Sequence, residues 1–331
     1  QARRSHNHAR RTAYTAVRSR ALGAPEVLII MVGLKRIIWL AVALTTDAYT
    51  YGSYDEDLAK DVMVFAGASY CPANKVQEWT METDCAARTT GMVISEVFDI
   101  STTDVGSSYD KAFAYTGVDT ERKWVVAAFK GSNETDDFIY DMQGGEFTFS
   151  DCKIGSHNFG KVHDGFCGYY KSLHQAGIQT SLVALATANP TYKVIITGHS
   201  LGAAAAALAA VDYYQLTGGA KALLYTYGQP RVGDYDFAKT VNKHTEEAYR
   251  VVHASDIIAH LPVCCGAFSC WTSSACPYHT EEMVWYNNDM TSSSYEECDG
   301  GEDQSCNNWV DMSVSDHLHY FGLEIADYCC F

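Results

Sequence analysis

The chain has 331 residues, 24 Lys+Arg against 40 Asp+Glu for a formal net charge of −16, 47% apolar residues and 12 cysteines. That length and apolar content fill one large core or two ordinary ones, and exclude a disordered chain, a collagen-like repeat or a miniprotein held only by disulfides. The acidic balance argues against nucleic acid as a partner, because a phosphate-backbone binder must supply a positive stripe.

In chain order, residues 1–30 hold six arginines (Arg3, Arg4, Arg10, Arg11, Arg18, Arg20) and one acid, Glu26, with neither strand nor helix periodicity. They read as a basic upstream extension. From Met31 a secretory signal can be read over residues 31–48: a short basic region (Lys35, Arg36), an apolar run from Ile37 to Leu44, and small residues suited to cleavage after Ala43 or Ala48. An Arg-rich transit peptide is the alternative. Residues 49–331 then form the mature body, expected to be one secreted domain, since it shows no repeat, long linker or low-complexity tract apart from the alanine run Ala203–Ala207. Residues 1–48 carry eight basic and two acidic side chains, so the body is more acidic than the whole chain. No later run approaches the roughly 18 apolar residues of a membrane span, so no transmembrane anchor is expected.

Strand-like apolar runs appear at Trp124–Phe129, Lys193–Thr197, Ala222–Tyr227 and Tyr249–His253, with helical spacing between them at Gly165–Ala188, Leu201–Gln215 and Tyr235–His244. Buried strands alternating with helices of this length predict an α/β fold with a mostly parallel central sheet flanked by helices. Reactive residues are then expected at the carboxyl ends of the strands. All twelve cysteines lie between Cys71 and Cys330 and none forms a C-x-x-C pair, which reads as a disulfide-braced body from an oxidising compartment. The vicinal pairs Cys264/Cys265 and Cys329/Cys330 rarely bond internally, so each member seeks a distant partner.

The run Val194–Thr197 leads straight into Gly198-His199-Ser200-Leu201-Gly202 and an alanine-rich helical segment. This is G-x-S-x-G in the setting that gives it meaning: strand, sharp turn, helix. The glycines relieve crowding where the turn holds Ser200 strained, and the helix behind it points N–H groups toward a developing oxyanion. A serine nucleophile needs a base, and the base an acid, in the chain order Ser, Asp or Glu, His. Asp256 follows the strand Tyr249–His253, whereas Asp234 and Asp236 more simply begin the next helix. His317 and His319 compete for the base, while His199, His253, His260 and His279 read as packed or surface residues. Ser132 follows a buried strand and a glycine, where a tight loop can aim donors across the top of the sheet, and its competing reading is an ordinary turn serine. Gly155–Val162 nearly matches a phosphate loop, but Val162 stands where Mg²⁺ coordination needs Ser or Thr. No H-E-x-x-H occurs, and His163-Asp164 and Asp316-His317 are adjacent residues whose side chains diverge, so no metal or cofactor is expected.

Several ordered blocks between roughly Tyr70 and Cys330 carry a resemblance. They are Phe129-Lys130-Gly131-Ser132, Val162-His163-Asp164-Gly165-Phe166, Lys193 through Gly202, Tyr227 through Gly233, Tyr249 through Pro262, and Asp316-His317-Leu318 with Tyr320-Phe321-Gly322. In these the chain resembles the class 3 lipases, the secreted filamentous-fungal triacylglycerol lipases together with the type A feruloyl esterases. The resemblance implies an α/β-hydrolase fold with Ser200 as nucleophile, Asp256 as acid and His317 rather than His319 as base. It also implies an oxyanion hole from the Leu201 N–H and from the N–H and hydroxyl of Ser132, and a lid formed by Asn133, Glu134, Thr135, Asp136, Asp137, Phe138, Ile139 and Tyr140. It pairs Cys71 with Cys329 or Cys330, and Cys298 with Cys306, and gives no partner for Cys264, Cys265, Cys270 and Cys276.

Three departures stand out. Lys130 replaces a frequent arginine, which weakens a hydrogen-bonding fork. The lid segment holds three acids and a short apolar stripe, where a lid lying on lipid calls for a broader amphipathic face. Asn133-Glu134-Thr135 is a glycosylation sequon whose glycan would crowd the oxyanion donor, so it is expected to be unoccupied. The implied function is a secreted serine hydrolase of triacylglycerol esters, acting on lipid at a lipid–water interface. A feruloyl or other small-ester esterase is the alternative, and a non-catalytic secreted binder of lipid or cell wall the lesser one.

Overall fold

A computed structural model describes residues 53–100, 112–132, 148–263, 276–298, 300–303, 305–306 and 312–331. The chain divides into two units, Gln1–Tyr51 and Gly52–Phe331, and every described residue belongs to the second. The expected extension and signal (1–48), the expected lid (Asn133–Tyr140) and Cys264, Cys265 and Cys270 lie outside the described residues.

Helix α1 (Glu56–Ala68) starts at Asp55, whose carboxylate accepts from the Leu58 N–H at 3.0 Å, an N-cap that satisfies one orphan donor. Two short helices follow, α2 (Ala73–Glu78) and α3 (Thr83–Arg88), and then strands β1 (Met92–Asp99), β2 (Phe113–Asp119) and β3 (Trp124–Phe129). A hairpin of β4 (Phe149–Ile154) and β5 (His157–His163) turns at Gly155, whose φ of 58° suits a residue without a Cβ. The segment that resembled a phosphate loop is therefore this hairpin. The helical stretch expected over 165–188 is two helices, α4 (Asp164–Gln175) and α5 (Ile178–Ala188), broken at Gly177 with φ 104°. Strand β6 (Lys193–His199), helix α6 (Leu201–Leu216), strand β7 (Leu223–Tyr227), the short β8 (Gly233–Asp234), helix α7 (Tyr235–His244) and strand β9 (Glu247–His253) complete the expected alternation. The chain closes with β10 (Pro277–Tyr278), β11 (Met283–Tyr286), β12 (Glu296–Cys298), α8 (Val314–Leu318), β13 (His319–Tyr320) and β14 (Leu323–Glu324).

The main sheet runs β1-β2-β3-β6-β7-β9-β11-β12. Its five central strands, β3 to β11 in that order, are parallel, while β1, β2 and β12 pair antiparallel at the two edges. The parallel centre carries the near-continuous apolar runs read from the sequence, because both of its faces are covered. Edge strand β1 mixes exposed and buried positions, a weaker signal that apolar runs do not reveal. Helix α1 packs on the face presented by Val126, Ala128, Ile195, Tyr225, Tyr227 and Val251. The period of two places Phe129 on the other face, where its ring lies 6.2 Å from that of Tyr170 in α4. Among the described residues no helix is long and apolar enough to cross a membrane.

Disulfides join Cys71 to Cys330, Cys85 to Cys329, Cys152 to Cys167 and Cys298 to Cys306, and Cys276 is also disulfide-bonded. Both members of the vicinal pair Cys329/Cys330 thus reach distant partners, and Cys71 takes the second of its two options. These two bonds enclose nearly the same long loop. With Cys85–Cys329 intact, the bond Cys71–Cys330 closes only a short circuit of about fifteen residues, worth about 3 kcal/mol or less in the chain-entropy picture. Replacing Cys71 and Cys330 by alanine is therefore expected to cost about that much in urea unfolding, and removing the second pair as well to cost more than the first step. Equal costs in either order would contradict the nested arrangement.

Candidate active site

Strand β6 ends at His199 and α6 begins at Leu201, so Ser200 makes the whole turn, with φ 59° and ψ −126°. This is sparsely populated space for a residue with a side chain, and it persists only where surroundings over-determine it. They do so here. The Ser200 N–H donates to Tyr227 O at 3.0 Å on the neighbouring strand. A Cβ on Gly198 would fall 2.3 Å from Gly202 O, and one on Gly202 would fall 2.1 Å from Phe129 O. The two glycines of the motif therefore let the turn close on itself and let α6 press against the end of β3. Leu201, at the first position of α6, has an N–H with no acceptor inside the helix, at its positive end.

The loop after β3 lies against the same turn. A Cβ on Gly131 would meet Tyr70 Oη at 2.0 Å and His199 O at 2.7 Å, so Ser132 leaves a loop pressed onto the residue before Ser200. Lys130 is partly buried, with its ammonium 5.6 Å from the Phe113 ring centre and 6.0 Å from that of Tyr70. Burial lowers its pKa, with Asp99 acting in the opposite direction.

Asp256 follows β9 and is wholly buried. Its carboxylate accepts from His317 Nδ1 at 2.9 and 3.0 Å, from the Tyr320 hydroxyl at 2.6 Å, and from the Ile258 and Ala259 N–H groups at 2.8 and 3.3 Å. Burial alone would push this carboxyl up, but the neighbouring His317 charge and the hydrogen bonds from His317 and Tyr320 outweigh it and take it down to about 2. His317 is brought here by α8, which Ser313 caps by accepting from the Asp316 N–H at 3.0 Å. The Asp316 carboxylate in turn accepts from the Ser255 N–H at 3.0 Å, fastening α8 to the loop after β9.

His199 donates from Nε2 to His317 O at 2.8 Å, which leaves Nδ1 to accept from the Tyr70 hydroxyl at 2.7 Å. Its ring stacks on that of His317 at 4.4 Å. Burial, followed by repulsion from His317, lowers the His199 pKa to about 3, so it is an uncharged platform. His317 and Ser200 share one wall, Tyr227-Gly228. A Cβ on Gly228 would collide with Asp256 Oδ2 at 2.6 Å and His317 Nδ1 at 2.7 Å, while Tyr227 O holds the Ser200 N–H. His317 Nε2 is buried with no hydrogen-bond partner among the described residues, and Ser200 is 2% exposed.

The structure thus brings Asp256 and His317 together beside the Ser200 turn and leaves His319 bonded to Ser315 O at 2.8 Å. His253, His260 and His279 are buried and each bonds a backbone carbonyl, as packed residues do. Asp234 caps α7 by accepting from the Phe237 N–H at 2.9 Å. Among the described residues no group of three or more His, Cys, Asp or Glu could hold a metal ion. The direct contacts of Tyr320 with Asp256 and of Tyr70 with His199 were not read from the sequence. Spacing offered a signal only for the first, three residues beyond His317.

A mostly parallel sheet with its turn serine between strand and helix, and its acid and histidine on later loops, defines an α/β-hydrolase fold. Residues 126–266 match the family model described as Lipase (class 3). A secreted mono- and diacylglycerol lipase 1 of Fusarium solani is 34% identical over 214 residues, which cover 63% of this chain and 59% of that protein. A lipase of Rhizomucor miehei is 34% identical over 207 residues, covering 61% and 53%. The chain therefore spans little more than half the length of these relatives. A solved structure of a triacylglycerol lipase, whose catalytic centre is a serine protease triad, superposes with a TM-score of 0.68 at 28% identity over 83% of this chain and 97% of that one. Over residues 126–266 the chain is thus similar to the class 3 lipases, and its described body shares their fold.

Several of the buried histidines set a pH dependence of stability. Burial lowers His199, His260 and His279 below their ordinary 6.5, so the unfolded chain takes up protons that the folded chain refuses. The lowered Asp256 carboxyl acts in the same direction at more acid pH. Stability is therefore full above about pH 6.5 and falls as pH drops below it, by about 1.4 kcal/mol per pH unit for each excess proton. Urea midpoints measured between pH 7.5 and 4.5 are expected to decline steadily below 6.5, and a flat profile would contradict neutral burial of these rings.

Proposed function

We propose that the chain is a secreted serine hydrolase of acylglycerol esters, working through Ser200, His317 and Asp256. The observation that carries this reading is the His317 ring: Nδ1 held by a buried carboxylate, Nε2 left without a partner beside the strained Ser200 turn. The Ser200 hydroxyl attacks the ester carbonyl while His317 Nε2 takes its proton, and Asp256 stabilises the resulting imidazolium. The oxyanion is held by the Leu201 N–H and by the N–H and hydroxyl of Ser132. His317 then delivers the proton to the departing alcohol, leaving an acyl-enzyme that water hydrolyses by the reverse sequence. The names of the relatives, lipases of mono-, di- and triacylglycerols, support the substrate class. Residues 31–48 are the export signal in this reading, residues 49–331 the working domain and Asn133–Tyr140 its lid.

A second reading, a feruloyl or other small-ester esterase, is favoured by the three acids Glu134, Asp136 and Asp137 in that segment of the sequence. Acid release from emulsified long-chain triglyceride, followed in a pH-stat, separates the two. Release that climbs sharply once droplets form is expected, and a folded protein that hydrolyses only soluble short or aryl esters would move the assignment to the esterase. In either case Ser200→Ala is expected to lower turnover by about 10⁴ or more with an unchanged circular dichroism spectrum. Near-normal activity in that variant would overturn the nucleophile assignment.

A further inference from the structure

The loop after β3, which carries Ser132, and helix α8, which carries His317, lie far apart in sequence, and the side chains of Tyr70 and His199 stand between them. Tyr70 follows α1, its N–H donating to Gly67 O at 3.0 Å, and its next residue is bound through the Cys71–Cys330 disulfide. The end of α1 is pressed onto the segment after β14, since a Cβ on Gly67 would fall 2.6 Å from Ile325 O. From there the ring reaches the end of β6. Its Oη lies 2.7 Å from His199 Nδ1 and so close to Gly131 that a Cβ there would stand 2.0 Å away. The ends of this series dictate the direction of each bond. His317 O can only accept, so His199 Nε2 carries the proton in the 2.8 Å bond between them. Burial and then His317 take the His199 pKa down to about 3, so the ring is neutral and Nδ1 is bare. The one proton of the Tyr70 hydroxyl is therefore spent on Nδ1, which leaves its oxygen to accept from the Gly131 N–H. Burial and then Tyr169 raise this hydroxyl above its ordinary 10, with the Gly131 N–H acting in the opposite direction, so it keeps its proton at neutral pH.

We propose that Tyr70 is a positioning residue: through His199 it holds the backbone of His317, and through Gly131 it holds the loop that carries Ser132, so that base and oxyanion donor keep one geometry about Ser200. It acts through these neighbours and not on the ester, and the inference rests on the serine-hydrolase reading above. His199 is placed to transmit the hold, because its ring is stacked on that of His317 at 4.4 Å and bordered by the Tyr320 ring at 5.8 Å. The loop is held on its other side by the Tyr169 hydroxyl, which donates to Lys130 O at 2.7 Å. Without the Tyr70 hydroxyl, Nδ1 becomes a buried acceptor with no donor. The other tautomer offers no escape, since it turns the Nε2 lone pair against His317 O across 2.8 Å and pushes α8 away.

Tyr70→Phe removes one oxygen and keeps the ring, so the variant is expected to fold with the wild-type circular dichroism spectrum. On soluble p-nitrophenyl butyrate its kcat is expected to fall about tenfold with KM changed less than about twofold, because the lost alignment matters in the transition state. In a double-mutant cycle, Ser132→Ala is expected to cost several-fold less in the Tyr70→Phe background than in the wild type, since an oxyanion arm already loosened has less to lose. A merely structural tyrosine would leave the two losses multiplying. Nitrogen-15 spectra of histidine-labelled protein read the bond itself, without reference to activity. His199 is expected as the Nε2–H tautomer in the wild type, with an Nδ1 resonance that moves downfield in Tyr70→Phe. Unchanged kcat in Tyr70→Phe, losses that multiply, or an Nδ1–H tautomer of His199 in the wild type would each overturn the proposal while the hydrolase reading stands. A folded wild-type protein without Ser200-dependent turnover would overturn that reading and the proposal with it.

Discussion

The arrangement hangs on one buried carboxylate. An ionised Asp256 with no exposed surface is tolerable only if donors surround it, and the chain supplies them from three places. Two backbone N–H groups come from the turn just after it, an imidazole comes from α8, and a hydroxyl comes from Tyr320, more than sixty residues further on. Removing any one would leave a charge under-served in a region that water does not reach. This explains why α8 is fastened to the loop after β9 by Ser313, Asp316 and Ser255, and why Gly228 has no side chain. It also gives the terminal disulfides a purpose, since they tie residues 329 and 330 back to Cys85 and Cys71 and so hold the segment that carries His317 and Tyr320.

Ser200 depends on a second constraint that meets the first at Tyr227-Gly228. The turn is strained, and the strain is held by packing: alanines at 203–207 bring α6 onto the sheet with no side-chain bulk between. Parallel strands of unequal connection length place the ends of β3, β6, β7 and β9 side by side, so groups distant in sequence converge at one edge of the sheet. His199 links the two halves, stacked on His317, bonded to its carbonyl, and held neutral by burial. A charged ring at that position would oppose the imidazolium that ester cleavage requires.

The parts legible in the sequence were those with a local cause. Strand β3 and helix α7 lie where their patterns placed them, and the G-x-S-x-G turn could be read because strand, glycines and alanines adjoin it. Asp234 was legible as a cap because a cap acts over three residues. The tie between His317 and His319 was not resolvable locally, since the choice depends on which ring α8 turns toward a carboxylate some sixty residues earlier. Resemblance to a family decided it. The β4–β5 hairpin and edge strand β1 escaped notice because half-exposed strands dilute the apolar runs that mark the centre. Disulfide choice escaped for the same reason as the histidine: pairing is a property of the folded chain.

The central claim is that the buried Asp256–His317 pair makes Ser200, among all the serines of the chain, the reactive one. Incubation with a p-nitrophenyl alkylphosphonate, followed by intact-mass and peptide mapping, tests it without any assumption about the natural ester. One phosphonyl group per chain on the peptide containing Ser200, absent from Ser200→Ala and strongly slowed in His317→Asn, is the expected result. Labelling that is spread over several serines, or that persists in Ser200→Ala, would contradict it.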